Sequence, residues 1–536
     1  MMPLGRPPHP MKPLTLQILA MLLAAAGLAH AAAPRATATN PIIFADVPDM
    51  AMLRVGDTYY MSSTTMHMSP GLPIMKSKDL VNWHLASYAY NVLDDVDELN
   101  LKNGKSAYGK GSWASSLRYH DGTFYVSTFS GSTGKTYVYS TKDIGKGPWK
   151  AVSFKPMLHD HSLFFDDDGR IYMISGGGTI RIAELNADLA GLKPGGINQV
   201  VIQNASAPAG PDVGLPAEGN QLFKIHGKYY LFNIAWPKGG MRSVIIHRAD
   251  KITGPYEGRV GLQDQGVAQG GLIDTPQGDW YAYLFQDHGA VGRLPFLVPV
   301  HWENDWPVIG ENGKVPATLN LPVSKGLIPD IVASDEFNRR PGEPALPLVW
   351  QWNHNPDPKF WSLVQRPGFL RLTTGRVDAD ILLARNMLTQ RTFGPECSAA
   401  TALDVSGMRD GDCAGLALLQ KQYGWVGVKM DGAVKRIVMT SAESTAPVEV
   451  QSVPLTGKTV HLRADCDFNN RADTARFFYS LDGKAWTQLG GTLKMVYTLP
   501  HFMGYRFGLF NFSTKASGGH ADFDFIHLTD KITDPK

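Results

Sequence analysis

A hairpin pattern that recurs five times between residues 40 and 310 constrains the fold of this 536-residue chain more than any other feature. Each copy has a short apolar strand, a turn that contains glycine and an aromatic return strand; the copies lie at 52–60, 117–125, 163–172, 222–230 and 272–281. They are roughly 45 to 65 residues apart, the length of a four-stranded propeller blade with its loops. The repeat predicts a five-bladed β-propeller over residues 40–310. A β-sandwich with long insertions is the alternative.

The pattern changes from Asp335 onward, where apolar and polar residues alternate in runs such as 369–373, 415–419 and 521–528. Such alternation is typical of strands with one buried face. We therefore expect a second all-β domain over residues 335–530, a sandwich of jelly-roll or lectin-like form. Residues 311–334 are predicted to be a linker that crosses the outside of the propeller.

The first 31 residues have the pattern of a signal peptide. Arg6 and Lys12 precede an apolar run over 14–28, and Ala29-His30-Ala31 supplies the small residues of a cleavage site. A membrane anchor is the weaker alternative, because the apolar run is short. The expected location is the periplasm or the medium, without membrane attachment after cleavage.

Charge and cysteine content exclude several classes of protein. Without residues 1–31 the chain has 49 basic and 49 acidic side chains, and no basic cluster, so nucleic acid is not an expected partner. Three cysteines cannot form a disulfide framework. The metal-binding spacings CxxC and HExxH do not occur, so no metal is expected in the functional site.

Three acidic residues take equivalent places in separate copies of the hairpin. Asp49, Asp160 and Glu218 each stand three or four residues before the leucine of their inner strand. Trp113 has the corresponding position in the second copy. Because inner strands of a propeller surround its axis, all four side chains are predicted to face one funnel. In contrast, Asp46, Asp57 and 166–168 are interpreted as loop and turn residues.

Three converging carboxyl groups favour hydrolysis of a glycosidic bond. That reaction needs one carboxylic acid that protonates the leaving oxygen and one carboxylate that activates water or attacks the anomeric carbon. A third carboxylate nearby raises the pKa of the acid by like-charge repulsion. Glu218, with the longest side chain of the three, is the natural proton donor. Taken singly, each acid is more typical of a structural turn residue than of a catalytic one; their shared position in separate repeats favours catalysis.

The chain resembles glycoside hydrolase family 43, the β-xylosidase and α-L-arabinofuranosidase family, throughout nearly its whole mature length. The matching sequence segments of the propeller include Pro48-Asp49, Trp113-Ala114-Ser115-Ser116-Leu117, Asp160-His161-Ser162-Leu163-Phe164-Phe165 and Ala217-Glu218-Gly219. Residues 388–394 and 423–429 resemble the family's concanavalin-A-like C-terminal domain. The resemblance implies a five-bladed propeller followed by a β-sandwich, and no required cofactor.

The resemblance also implies a role for each site residue. Asp49 would be the general base, Asp160 the acid that tunes pKa and orients the donor, and Glu218 the general acid of an inverting reaction. Arg293 matches an arginine that contacts substrate hydroxyls, and Trp113 would stack on a sugar or shape the pocket. Gln269 stands where many relatives have an axial histidine, often near an ion. We place Trp113, Gln269 and Arg293 with the substrate-binding residues.

Further expectations concern the rest of the chain. The loop at 502–505 would narrow the funnel into a pocket, and methionines in 66–71 would reshape the sugar site. His288 could reach the pocket, but a structural role is favoured. Asp335 and Asp524 are candidates for sharing a structural calcium ion; a sandwich without calcium is equally consistent.

These observations predict an exported, inverting exo-glycosidase that removes terminal xylose or arabinofuranose from plant hemicellulose oligosaccharides. The alternative is a non-catalytic carbohydrate-binding protein on the same fold. A fructan-cleaving propeller enzyme fits less well, because its Asn-Asp-Pro-Asn opening is absent. The choice between xylosides and arabinosides, the substrate length and the oligomeric state stay open.

Overall fold

A computed structural model describes residues 37–443 and 446–533, so the predicted signal peptide lies outside the described residues. These residues form an all-β structure, as predicted. Its helical elements are short 3-10 turns at Ala207–Ala209, Gly289–Val291, Pro358–Phe360, Ile381–Leu383 and Asn469–Arg471. No helix in the described ranges is long and apolar enough to cross a bilayer.

Five antiparallel four-stranded sheets form the predicted propeller. Blade 1 comprises Ala51–Val55, Thr58–Ser62, Gly71–Ser77 and His84–Tyr90. Blade 2 comprises Ser116–His120, Thr123–Ser130, Lys135–Thr141 and Lys150–Phe154. Blade 3 comprises Ser162–Phe165, Ile171–Ser175, Ile180–Glu184 and Asn198–Ile202. Blade 4 comprises Val213–Ile225, Lys228–Pro237, Ser243–Ala249 and Glu257–Leu262. Blade 5 comprises Ala268–Asp274, Trp280–Asp287, Arg293–Glu303 and Trp306–Ile309.

The first strand of each blade lies innermost. Each inner strand contacts the inner strands of both neighbouring blades, and the fifth contacts the first, so the ring is closed. The recurrent hairpin joins this strand to the second one through a tight turn; in blade 2 the turn residue Gly122 has a φ of +72°, which favours glycine. Residues that precede the inner strands therefore meet at one end of the axis.

Part of the predicted linker is itself paired with the beginning of the described chain. Thr318–Pro322 lies antiparallel to Thr37–Thr39, forming a separate two-stranded sheet. The Asn40 side chain donates to the carbonyl oxygens of Leu297 and Pro316, at 2.8 and 2.9 Å. These bonds tie the first strand to the outside of blade 5.

The second domain is a sandwich of two antiparallel sheets, as predicted. One sheet contains, in spatial order, Val448–Pro454, Val434–Ser441, Gly424–Asp431, Asp412–Leu419, Arg506–Ser513, Leu388–Arg391, Gln351–Asn353 and Met68–Ser69. The other contains Trp361–Ser362, Leu370–Thr373, His520–Thr529, Glu396–Asp404, Thr459–Asp467, Thr474–Ser480 and Thr487–Gln488, with Leu493–Lys494 beside Thr474–Ser480. Apolar side chains of both sheets fill the space between them.

The two domains share both a sheet and a core. Met68–Ser69, from a loop of blade 1, pairs with Gln351–Asn353 as the edge strand of the first sandwich sheet. Met68 is buried against Met387 and Met503 of the sandwich. Met68, one of the two methionines expected to reshape the sugar site, is therefore buried at the domain interface.

Asp46 lies at the centre of the domain interface, although the sequence indicated only a loop residue. Its Oδ1 accepts a hydrogen bond from the Arg293 backbone N–H at 2.8 Å, and its Oδ2 accepts one from Gly504 N–H at 3.0 Å. Its carbonyl oxygen accepts from the Arg391 side chain at 3.0 Å. Gly504 has no room for a side chain, since a Cβ there would lie 2.2 Å from the Val291 carbonyl oxygen.

Candidate active site

The structure brings Asp49, Asp160 and Glu218 together at one end of the propeller axis. Asp49 and Asp160 stand just before the inner strands of blades 1 and 3, and Glu218 lies within the long inner strand of blade 4. The side chains are 5%, 8% and 25% exposed, respectively. The most accessible carboxyl group is therefore that of Glu218.

Asp49 is held by donors on both carboxylate oxygens. Oδ2 accepts from the Thr64 hydroxyl at 2.7 Å. Oδ1 accepts from Gln269 Nε2 at 3.0 Å and from Arg293 Nη1 at 2.8 Å. The backbone of Asp49 is left-handed, with a φ of 49°, a strained conformation of the kind often found at functional sites. These contacts fix the direction of the carboxylate.

Asp160 is buried and fixes the backbone beside Glu218. Its Oδ2 accepts from the Gly219 N–H at 2.9 Å, and its carbonyl oxygen accepts from Asn220 Nδ2 at 2.7 Å. Burial raises the pKa of Asp160 to about 7; the Glu218 and Asp49 charges add to this rise, and His159 opposes it. Asp160 thus feels the charges of both other carboxyl groups.

Gly219 allows blades 4 and 5 to approach each other at the site. It has a φ of +70°, and a Cβ at this position would lie 2.7 Å from the Gln269 side chain. The backbone around Glu218 is also irregular, because the pairing of Val213–Ile225 with its neighbour shifts register on both sides of this residue. This irregularity gives the Glu218 side chain a direction that a regular strand would not provide.

His159 belongs to the same group, and sequence reasoning missed it. Its Nε2 lies 3.0 Å from Glu218 Oε2 and 3.9 Å from Asp160 Oδ2. Its position directly before Asp160, at the entrance of an inner strand, was the available signal. The ligating atoms of the three residues lie within 4.8 Å of one another, and a hydrogen bond between two of them accounts for this closeness without a metal ion.

Aromatic side chains form a wall beside the carboxyl groups. Trp113 lies nearly parallel to Phe129, with ring centroids 6.4 Å apart, and 5.0 Å from the ring of Phe502. Phe502 comes from the sandwich domain, so the predicted loop does reach the funnel. The Arg293 guanidinium lies 5.0 Å from the Phe502 ring. Both domains therefore contribute to the site.

Arg293 is buried and links Asp49 to this wall. Besides its bond to Asp49, its Nη2 donates to the Phe502 carbonyl oxygen at 3.4 Å. Although burial opposes it, the negative charge of Asp49 raises the pKa of Arg293 above its ordinary value, so the guanidinium is charged. All six residues predicted for the site, Asp49, Trp113, Asp160, Glu218, Gln269 and Arg293, are thus brought together.

Other polar residues that the sequence singled out have structural partners elsewhere. His288 Nδ1 lies 3.0 Å from Gln286 Oε1, and its ring packs edge-on against Phe44. Asp166 accepts from the Tyr229 hydroxyl and pairs with Lys224.

Asp335 and Asp524, the candidates for sharing a calcium ion, have different surroundings. Asp335 accepts from the Arg339 guanidinium and from Trp350 Nε1, at 2.7 and 2.8 Å, while Asp524 is exposed. The Arg339 guanidinium thus supplies the positive charge that a calcium ion would supply beside the Asp335 carboxylate. Because Arg339 and Trp350 already donate hydrogen bonds to it, this carboxylate does not fit a calcium site. Apart from the candidate active site, no three His, Cys, Asp or Glu side chains in the described parts of the chain are close enough to share an ion.

A five-bladed propeller whose funnel holds three carboxyl groups in different environments defines a glycoside hydrolase. The family model for glycosyl hydrolases family 43 matches residues 38–307. The model for the β-xylosidase C-terminal concanavalin A-like domain matches residues 334–529. The chain belongs to glycoside hydrolase family 43.

Individual relatives extend over both domains. A β-xylosidase of Formosa agariphila is 30% identical, in an alignment that covers 91% of this chain and 90% of the relative. A non-reducing end α-L-arabinofuranosidase of Bacteroides ovatus is 27% identical, covering 82% of this chain and 85% of the relative. Relatives at this level of identity thus include both a β-xylosidase and an α-L-arabinofuranosidase.

Solved structures agree with this assignment. A bifunctional GH43-CE protein of Bacteroides eggerthii has 62% identity and a TM-score of 0.92; the match covers 93% of this chain and 64% of that longer chain. A family 43 enzyme engineered to display endo-xylanase and exo-arabinofuranosidase activity has 31% identity and a TM-score of 0.82, covering 92% and 100% of the two chains.

Proposed function

We propose that this enzyme removes terminal xylose or arabinofuranose units from hemicellulose oligosaccharides, with inversion at the anomeric carbon. The observation that carries the proposal is the contrast between two carboxyl groups in one funnel. Asp49 is buried and accepts hydrogen bonds from Thr64, Gln269 and Arg293, whereas Glu218 is partly exposed and contacts His159. Such a pair suits a base and an acid, respectively.

In the proposed mechanism, Glu218 gives a proton to the glycosidic oxygen while the bond to the anomeric carbon breaks. Asp49 takes a proton from the water molecule that attacks the opposite face of that carbon. The donors around Asp49 hold its carboxylate in the direction needed for this step. Asp160 orients the Glu218 backbone through the hydrogen bond that it accepts from the Gly219 N–H.

The wall formed by Trp113 and Phe502 supports attack at chain ends. The sandwich domain brings the ring of Phe502 to 5.0 Å from the ring of Trp113, so both domains contribute to one wall of the funnel and narrow it on that side. A funnel narrowed in this way suits a terminal sugar, which can stack on an aromatic ring. The names of the two curated relatives support a pentose, xylose or arabinofuranose, as that sugar.

Export of the enzyme is part of the proposal and rests on the sequence of residues 1–31. A basic start, an apolar run and the Ala29-His30-Ala31 site support a cleaved leader. The N-terminal sequence of the protein recovered from the producing cells tests it. Cleavage after Ala31 is the expected result, and retention of the leader in a cytoplasmic protein would contradict export.

The proposed activity is tested with nitrophenyl β-D-xylopyranoside and nitrophenyl α-L-arabinofuranoside. The wild type should hydrolyse at least one of them, and Glu218→Ala should be slower by about 100-fold or more on the corresponding methyl pentoside, whose alcohol needs protonation to leave. A matched control is Glu257→Ala, which removes an exposed acid paired with Arg248 in blade 4. Carbohydrate binding without turnover, unchanged in Glu218→Ala, would favour the alternative of a non-catalytic binding protein.

A further inference from the structure

His159 lies on the solvent side of Glu218. Its side chain is 45% exposed, against 25% for Glu218. The ring packs edge-on against Phe129, with centroids 5.3 Å apart, and Nε2 is 3.0 Å from Glu218 Oε2. His161, two residues further on, instead contacts Ser127 Oγ and the Leu158 carbonyl oxygen. His159 is therefore the histidine of this segment that reaches the carboxyl groups.

We propose that His159 is a proton relay for Glu218: it passes a proton from solvent to the acid and holds Oε2 in position for donation. The inference rests on the proposed function, in which Glu218 is the general acid. It adds a residue between that acid and the surrounding water. Since the imidazole is more exposed than the carboxyl group, it retains access to solvent when a sugar covers Glu218.

The proton balance of one turnover is complete. The His159 imidazolium transfers its Nε2 proton to Oε2, and Glu218 passes a proton to the glycosidic oxygen, which receives the electron pair of the breaking bond. The neutral imidazole then takes a proton from solvent. Asp49 gains one proton from the attacking water and releases it to solvent, so no proton is consumed overall.

The charges around His159 support this role. The titratable groups that face it are the carboxyl groups of Glu218 and Asp160, with His161 nearby. Burial lowers the pKa of His159, but the hydrogen bond to Glu218 and the negative charge of Asp160 outweigh burial and raise it to about 9. Burial lowers the pKa of His161 to about 4, so this neighbour is neutral. At neutral pH, His159 is therefore protonated, and it shares that proton with Glu218 Oε2 through the 3.0 Å hydrogen bond.

The variant that separates a relay from a structural contact is His159→Gln. Its amide keeps an N–H group that can reach Oε2, but it cannot release a proton at working pH. His301→Gln is the matched control, because His301 pairs with Glu303 at 2.8 Å at the exposed end of a strand of blade 5. The two replaced side chains are 45% and 58% exposed, so both variants should fold; thermal unfolding checks this.

The readout is the dependence of kcat/KM on the leaving group and on pH. Nitrophenolate leaves without much protonation, whereas the alcohol of a methyl pentoside needs it. His159→Gln should lose about 100-fold with the methyl pentoside and less than about 10-fold with the nitrophenyl pentoside. The alkaline limb of its pH profile should move to lower pH by one unit or more. Equal losses on both substrates with an unmoved limb would overturn the relay.

A measurement independent of turnover separates this inference from the proposed function. Proton NMR of the carbon-bound ring protons should show His159 titrating above its ordinary pKa of 6.5, and the value should fall in Glu218→Gln. Titration at or below 6.5 would overturn the relay even in an active enzyme. The wild type could show a raised His159 pKa that falls in Glu218→Gln and yet be inactive on both pentosides. That result would contradict the proposed function but support a proton shared by His159 and Glu218.

Discussion

The ring of Phe502, from the sandwich domain, lies 5.0 Å from the ring of Trp113, from the propeller. The same loop places the Phe502 carbonyl oxygen 3.4 Å from Nη2 of Arg293, which binds the candidate base Asp49. The second domain is thus part of the active site and not only an attached module. Its contribution to substrate binding is directly measurable.

Phe502→Ala should raise KM for a small pentoside by about 10-fold, corresponding to ~1.4 kcal/mol of lost binding. The aromatic wall is then opened, while the three carboxyl groups keep their partners, so kcat should change less. Steady-state kinetics of the variant check this. Phe525→Ala, in the sandwich but with its ring beside His461 and His527, is the control. Equal KM values for Phe502→Ala and wild type would contradict a role for this wall.

Asp46→Asn should lower the free energy of unfolding by about 1–3 kcal/mol. The amide would turn its NH2 group toward one of two buried backbone N–H groups, those of Arg293 and Gly504, and leave that group unpaired. Denaturant unfolding measures the loss. Asp57→Asn, at an exposed hairpin turn beside Lys78, should change stability by less than about 0.5 kcal/mol. Similar values for the two variants would rule out Asp46 as an interdomain tie.

Asp160→Asn should alter the pH dependence of stability. The pKa of Asp160 is raised to about 7 in the folded protein, from an ordinary value of 3.8, so the folded state holds a proton that the unfolded state releases. Wild-type stability should therefore fall as pH rises from 4 to 7, by on the order of 3 kcal/mol relative to Asp160→Asn. Unfolding curves at several pH values test this. Parallel curves for both proteins would contradict a raised pKa.

Gly219→Ala should reduce kcat/KM by about 100-fold, since a 1 Å displacement in an active site has effects of this size. The new Cβ would collide with Gln269, which donates to Asp49. Gly122→Ala is a close control: its φ is +72°, against +70° for Gly219, but a Cβ added there would have no atom within 4 Å. That variant should lose only about 1–2 kcal/mol of stability. An active Gly219→Ala would show that Gln269 does not position the base.

Sequence patterns predicted much of this structure because they are local. The repeated hairpin fixes the inner strands, and Asp49, Asp160 and Glu218 each stand three or four residues before the leucine of their hairpin. The roles of His159 and Asp46 were not predictable in this way. His159 binds a partner 59 residues away in another blade, and Asp46 binds one 458 residues away in another domain. Such contacts depend on how blades and domains pack, which alternation and turn residues do not encode.

The central claim, that Asp49 activates water while Glu218 protonates the leaving oxygen, is tested most directly by the anomer released first. Proton NMR during hydrolysis of a β-xyloside, or of an α-arabinofuranoside if that is the better substrate, resolves the new anomeric signal before mutarotation. Inversion predicts α-xylose or β-arabinofuranose as the first product. Initial release of β-xylose or α-arabinofuranose would contradict direct attack by water and indicate a covalent intermediate instead.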